Sequence, residues 1–372
     1  MFSKRRAYLD YAAGVSGNPS SPHEEGRSAR KVLEDARTSI ARLTEVQSDD
    51  VIFTSGATES NALAILGHVR ALRAAGRKDI HILYLPSAHA SIVENAKLLA
   101  TEGVHVEALP VSEYRVDTKM LSKMLRNDTA LVSMDAVCGE TGVIWNTREV
   151  AQLIHAQSVP VLLHVDASQA PLTEKITRAH FDADLLTFDS SKVSETRGIG
   201  VLIAHRTISI LPLYAGGGQE RGLRSGSEAP ALAKNFAKAL REAALNREKF
   251  RASAEKTRAA IIKIILAKIP NVYIQEGRAQ APNILNFSLP GRDTDYLVAL
   301  LDEAGFAIST KSACETDSED GSRAVLALTG DSERAKSTLR ISWNSSVRER
   351  TLVLFAEELS RAVAFVDNNN PR

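Results

Sequence analysis

Val161-Leu162-Leu163-His164-Val165-Asp166-Ala167-Ser168-Gln169 is an apolar run that ends on an acid and a group of small polar residues. A strand buried on both faces of a parallel sheet reads this way, with its carboxyl end opening onto the edge where ligands bind. The same pattern recurs on either side of it. Val51-Ile52-Phe53, Ile80 to Leu85, Ala130 to Met134, Asp184 to Phe188 and Gly200 to Ala204 are further short apolar runs. Between them, Glu59 to Ala74, Ser91 to Glu102 and Arg148 to Gln157 carry apolar residues at three-to-four spacing, which predicts helices. The alternation predicts an α/β large domain on a mostly parallel sheet.

A long helix-compatible segment follows from Ala229 to Ile269, rich in Ala, Lys, Glu, Arg and Leu, and is expected to bridge two domains. Beyond it, Ile284 to Ser288 and Thr338 to Trp343 read as strands, with helices near Asp295 to Ala304 and Arg350 to Asn368. This suits a smaller α+β domain. The division expected is 12–245 for the large domain and 246–372 for the small one, with residues 1–11 joined to them.

The 372 residues are 44% hydrophobic and 24% charged, a composition that excludes disorder as the main state. Forty-six Lys and Arg nearly balance 45 Asp and Glu, so the net charge of +1 gives no general attraction to nucleic acid or to an acidic membrane. Two cysteines, Cys138 and Cys314, make neither a disulfide scaffold nor a CxxC metal or redox motif, and a reducing cytoplasm is the expectation. No metal site is expected. Met1 to Arg6 is basic but runs into Leu9-Asp10-Tyr11 without an apolar stretch, so no secretory signal is expected. No run approaches the roughly 18 apolar residues of a membrane span.

Three strand ends carry chemistry. Ser55-Gly56-Ala57-Thr58-Glu59-Ser60-Asn61 follows a strand and opens a helix, where unpaired N–H groups and the helix dipole favour an anion such as phosphate. It also reads as an ordinary tight βα turn. Asp166 ends an apolar strand where a carboxylate pairs well with a protonated heterocyclic nitrogen, although a helix N-cap is an equal reading of the same residue. Lys192 closes Leu185-Leu186-Thr187-Phe188-Asp189-Ser190-Ser191-Lys192 and offers an amine for a Schiff base, against the ordinary reading of a solvated loop lysine. Together they are the parts pyridoxal phosphate needs: a phosphate anchor, a pyridinium partner and an aldehyde partner.

Ordered motifs along nearly the whole chain then make a resemblance. They are Tyr8 to Ala13, Gly17 to His23 with Gly26-Arg27, Ser55 to Asn61, His89, His164 to Gln169, and Lys192. Next come Gly216 to Arg221, Arg224 to Ser227, Ala281 to Asn286, Ser312-Ala313-Cys314 and Leu339-Arg340. The chain resembles the cysteine desulfurases, in the class V branch of fold type I pyridoxal-phosphate enzymes, and most closely those serving iron-sulfur cluster assembly. The resemblance implies a fold type I large domain with a seven-stranded-type sheet and a smaller C-terminal domain.

It further implies that Lys192 holds the cofactor through a Schiff base, Asp166 pairs with the ring nitrogen, Gln169 approaches the phenolic oxygen and His89 stacks on the ring. Ala57, Thr58 and Ser191 would hold the phosphate, with Ser227 reaching it from the second subunit of a homodimer. Arg340 would bind the carboxylate of L-cysteine. Cys314 would take the sulfur as a persulfide, releasing alanine, and pass it to an acceptor such as an iron-sulfur scaffold protein. A thiolate is the nucleophile such a step needs, and the polar stretch Asp317 to Ser322 reads as a loop able to carry it. Cys138 reads instead as a small buried apolar residue.

Four departures fall within the implied site. Ser191 stands where the family has His before the lysine, Asp189 where it has Ser, and Gly139 where it has Asn. The stretch from Tyr11 to Asn18 lacks an intervening helix. An ionised Asp189 beside a phosphate repels it unless it points away, is protonated or is bridged by water. Two other functions therefore stand beside the desulfurase: another class V enzyme, such as a selenocysteine lyase or an aminotransferase-like enzyme, and a degenerate homologue acting as a binding or scaffold protein.

Overall fold

The computed structural model describes residues 7–15, 17–310 and 321–369. In chain order the strands are β1 (Val51–Thr54), β2 (His81–Tyr84), β3 (His105–Ala108), β4 (Val111–Ser112), β5 (Arg115–Val116), β6 (Thr129–Asp135), β7 (Leu162–Asp166), β8 (Leu185–Asp189), β9 (Gly200–Ala204), β10 (Tyr273–Ile274), β11 (Ile284–Ser288) and β12 (Thr338–Ser342). The α-helices are α1 (Glu24–Thr44), α2 (Ala57–Ala62), α3 (His68–Ala74), α4 (Ala90–Thr101), α5 (Thr118–Met124), α6 (Thr147–His155), α7 (Arg178–Phe181), α8 (Pro230–Lys268), α9 (Thr294–Glu303), α10 (Arg323–Thr329), α11 (Ser332–Lys336) and α12 (Glu349–Asn369).

Seven strands form the central sheet in the order β1-β9-β8-β7-β6-β2-β3. The β8-β7-β6-β2-β3 part is parallel, while β9 runs antiparallel to both β8 and β1. Two reversals in succession leave β1 pointing the same way as β8. The carboxyl ends of β1, β2, β6, β7 and β8 therefore share one sheet edge. Every residue of β1, β6 and β9 is buried, which is why these strands read as unbroken apolar runs rather than as alternations. Edge strand β3 is half exposed and carries His105 and Glu107, so its sequence holds no such run.

The helix expected over Glu59 to Ala74 begins two residues earlier, at Ala57, and its middle turn, Leu63–Gly67, widens to π geometry. At this widened turn the backbone docks on another segment: the Leu211 N–H donates to the Gly67 carbonyl at 3.0 Å. A Cβ on Gly67 would lie 2.6 Å from the Leu211 carbonyl oxygen, so a side chain would push the two segments apart.

Helix α8 has 39 residues and spans about 58 Å at 1.5 Å per residue. Pro230 occupies its first turn, where a missing N–H leaves no bond unmade. Near its start, Phe236 and Leu240 join the apolar cluster around the seven-stranded sheet; near its end, Ile261 and Ile265 join a second cluster with Phe287, Leu339 and Phe355. That second cluster lies under the three-stranded antiparallel sheet β10-β11-β12. Among the described residues no helix is long and apolar enough to cross a membrane.

Candidate active site

The shared sheet edge opens into a cavity of about 620 Å³. Ala57, Thr58, His89, Asp166, Gln169, Ser191, Lys192 and Arg340 all line it, although they come from five separate stretches of the chain. Ser227 is exposed and does not line it. Cys314 lies outside the described residues.

Asp166 ends β7 and is 5% exposed. Its Oδ1 accepts from the Ser168 N–H at 2.9 Å, closing a tight turn, so it caps no helix. Its Oδ2 accepts from Asn61 Nδ2 at 2.7 Å. Asn61 also donates to Ser91 Oγ at 2.9 Å, and Ser91 Oγ lies 2.8 Å from His89 Nδ1. The Ser91 backbone N–H, which can only donate, points at the same Nδ1 at 3.2 Å. Nδ1 is thus an acceptor, and the neutral ring carries its proton on Nε2. One polar chain thereby runs from the imidazole to the carboxylate and fixes both.

Asp135 ends β6 and is the register neighbour of Asp166. In sequence Asp135 carries the same signal as Asp166, an acid closing an apolar strand, yet it is not among the site residues expected above. It lines the cavity and is 4% exposed, and its Oδ1 has no partner among the described residues. Burial, with the Asp166 charge beside it, pushes its carboxyl up to about 8. Asp135 is therefore held towards its protonated form at neutral pH. His164, behind the two acids, bonds Ser133 Oγ and Thr187 Oγ1, and burial holds it below the usual histidine range, so it stays neutral.

At the other end of the cavity lies a cradle of donors. Ala57 N–H, at the start of α2, donates to Asp189 Oδ2 at 2.8 Å. Ser191 N–H and its hydroxyl donate to Asp189 Oδ1 at 2.8 and 2.6 Å. Gly56 makes the approach possible: its φ is +152°, and an added Cβ would stand 3.1 Å from Asp189 Oδ2.

Gly139 is covered by Gln169, whose Nε2 lies 3.1 Å from where a Cβ would stand. The Gln169 amide thus fills the space beside residue 139. The Gly139 carbonyl accepts from Arg340 Nη1 at 3.2 Å, which holds the guanidinium at the wall. Arg340 also forms an isolated bridge with Ser309, and Ser322 Oγ donates to Glu140 at 2.5 Å. Ser309 and Ser322 therefore both anchor on residues that line the cavity.

Fold and site together define a class V aminotransferase: the family described as Aminotransferase class-V matches residues 5–348, and the chain belongs to it. It is 35% identical to cysteine desulfurase IscS 1 of Archaeoglobus fulgidus, over 90% of this chain and 87% of that one. It is 31% identical to cysteine desulfurase IscS of Dictyoglomus turgidum, over 97% and 95%. A solved NifS-like protein superposes with a TM-score of 0.86 at 27% identity, over 94% and 92% of the two chains. SspA, solved in complex with cysteine, gives a TM-score of 0.73 at 25% identity, over 89% and 92%. Within the class V family the chain belongs to the cysteine desulfurases.

These are pyridoxal-phosphate enzymes, and the residues present fit that cofactor. Asp166 puts a buried carboxylate at a strand end, the chemistry that would suit a protonated ring nitrogen, and Lys192 lies on the same cavity. The donors of the cradle already hold an anion, the carboxylate of Asp189.

Proposed function

We propose that this chain converts L-cysteine to L-alanine and carries the sulfur away as a persulfide on Cys314. The observation that carries this reading is one cavity lined by Lys192, Asp166, His89 and Arg340. Bound there, pyridoxal phosphate supplies an electron sink for breaking the substrate's carbon–sulfur bond.

Lys192 would hold the cofactor through its amine. Asp166, oriented by Asn61 and Ser168, would keep the ring nitrogen protonated. His89 and Gln169 would contact the ring, and Ala57, Thr58 and Ser191 would supply donors for the phosphate. Arg340 binds the substrate carboxylate. The Cys314 thiolate attacks the substrate sulfur, a new sulfur–sulfur bond forms as the carbon–sulfur bond breaks, and the carbon takes up a proton to become alanine. Support for Cys314 comes from the ends of the segment that contains it, since Ser309 and Ser322 both anchor on the cavity wall.

The wider setting belongs to the same proposal. The exposed Ser227 reaches the phosphate of a second copy in a homodimer, and an iron-sulfur scaffold protein accepts the sulfur. The location is cytoplasmic, in keeping with two cysteines that form no disulfide scaffold. The domains divide at 245/246, within α8, where the helix passes between its two apolar clusters.

Incubation of cofactor-loaded protein with L-cysteine and a reductant tests this. Equal alanine and sulfide are expected, both lost in Lys192→Ala and in Cys314→Ala. Cofactor binding with neither product would overturn the desulfurase reading in favour of another class V substrate.

A further inference from the structure

The cofactor's phosphate must find donors in a cradle where three successive amides are already engaged. Ser55 N–H donates to Glu59 Oε2, Gly56 N–H lies 3.4 Å from Thr54 Oγ1, and Ala57 N–H donates to Asp189 Oδ2. Three consecutive amides at the mouth of a helical run therefore face the chain's own side-chain oxygens, two of them carboxylate. Glu59 is fixed in place by Tyr214 Oη at 2.6 Å and Arg224 Nε at 3.3 Å. Asp189 is different. All three of its recorded donors, Ala57 N–H, Ser191 N–H and Ser191 Oγ, are ones an incoming anion would use, and it lines the cavity itself.

We infer that Asp189 is an internal competitor for the phosphate, so that this chain discriminates only weakly between pyridoxal phosphate and unphosphorylated pyridoxal. The inference rests on the cofactor reading above. A carboxylate and a phosphate cannot share the Ala57 and Ser191 donors, because both accept and neither donates when ionised. Docking of the phosphate requires the Asp189 side chain to leave those bonds, and the displaced carboxylate then stands a few ångströms from a dianion. Pyridoxal, which lacks the phosphate, meets no such conflict and still has Lys192, Asp166 and His89 available. Asp189 thus acts as a specificity residue at the phosphate end, independent of the ring.

The test is equilibrium binding of pyridoxal phosphate and of pyridoxal to the full chain, followed by titration calorimetry and by visible absorbance that depends on Lys192. Wild type, Asp189→Ser and Asp189→Asn are compared. The Asn variant keeps an acceptor for Ala57 N–H without the charge, and so covers the case in which Ser disturbs folding. The expected result is that either substitution tightens pyridoxal phosphate by about tenfold or more and leaves pyridoxal within about twofold, widening the preference accordingly. Inorganic phosphate should compete with pyridoxal phosphate more strongly in the variants than in wild type. A wild-type preference for the phosphorylated form that neither substitution changes would overturn the inference and leave the cofactor reading intact. Failure of every folded variant to bind either aldehyde would overturn both.

Discussion

Asn61 Nδ2 lies 2.7 Å from Asp166 Oδ2, joining residues 105 positions apart at the floor of the cavity. The bond is buried, and it orients the carboxylate proposed to pair with the cofactor ring. Asn61→Ala should weaken cofactor binding by roughly tenfold to a hundredfold, as expected for losing a hydrogen bond to a charged group. Asp166→Asn, which removes the charge and keeps the shape, should cost more in turnover than in stability. Spectroscopic titration with cofactor, set beside urea unfolding, separates the two effects; equal losses in both would refute the assignment.

Arg37 and Glu220 form a second long-range pair, with two parallel bonds of 2.7 Å. Glu220 also accepts from Phe53 N–H at 2.8 Å, and Arg37 donates to the Val51 carbonyl at 2.7 Å. The pair pins the glycine-rich stretch Gly216 to Arg221 to β1, which gives that motif a structural reason. Despite burial, Glu220 keeps the guanidinium firmly charged. Glu220→Ala should lower stability by about 3–5 kcal/mol in urea unfolding, the range for breaking a buried pair. The double variant Arg37→Met with Glu220→Leu should recover much of that loss.

The raised carboxyl of Asp135 predicts a pH dependence of known sign. In the unfolded chain this group ionises near its ordinary value of 3.8, while in the fold it keeps its proton up to about 8. Between those values the folded state binds more protons, so this group makes stability fall as pH rises, by at most about 1.4 kcal/mol per unit. Asp135→Asn should remove that slope. Comparing unfolding midpoints of the two proteins at about pH 5 and about pH 8 measures it, and parallel profiles would refute it.

Cys138 is 1% exposed, and burial, with Asp135 and Glu140 nearby, pushes its thiol up to about 12. Iodoacetamide should therefore leave it unmodified in the native protein and label it only on unfolding. Native-state labelling should fall on Cys314 alone, as peptide mass spectrometry would show.

Much of the fold was legible because buried parallel strands write themselves as apolar runs. Six of the seven strands of the central sheet were found from such runs. Strand β3 was missed because an exposed edge needs no apolar residues, and α1 was not singled out among the charged residues of its outer face. At the site, Lys192, Asp166 and the Ser55 to Asn61 turn stood out as polar residues closing strands. Asp135 carried the same signal and was overlooked. Asn61 had no signal of its own, since its role is to orient a residue far away in the chain.

The sequence alone determined which residues stand at the carboxyl ends of strands, because that depends on local apolar patterning and on the polar residue that ends it. It also showed that Asp189 departs from its family. Only the tertiary structure decided where that carboxylate goes. Asp189 meets Ala57 across 132 positions because β9 turns back between β8 and β1 and brings both strand ends to one edge. Likewise, the side chain of Gln169, not residue 139, fills the space beside Gly139. Such contacts are set by strand order and by which side chains compete for the same donors, and neither is encoded in any short stretch of chain.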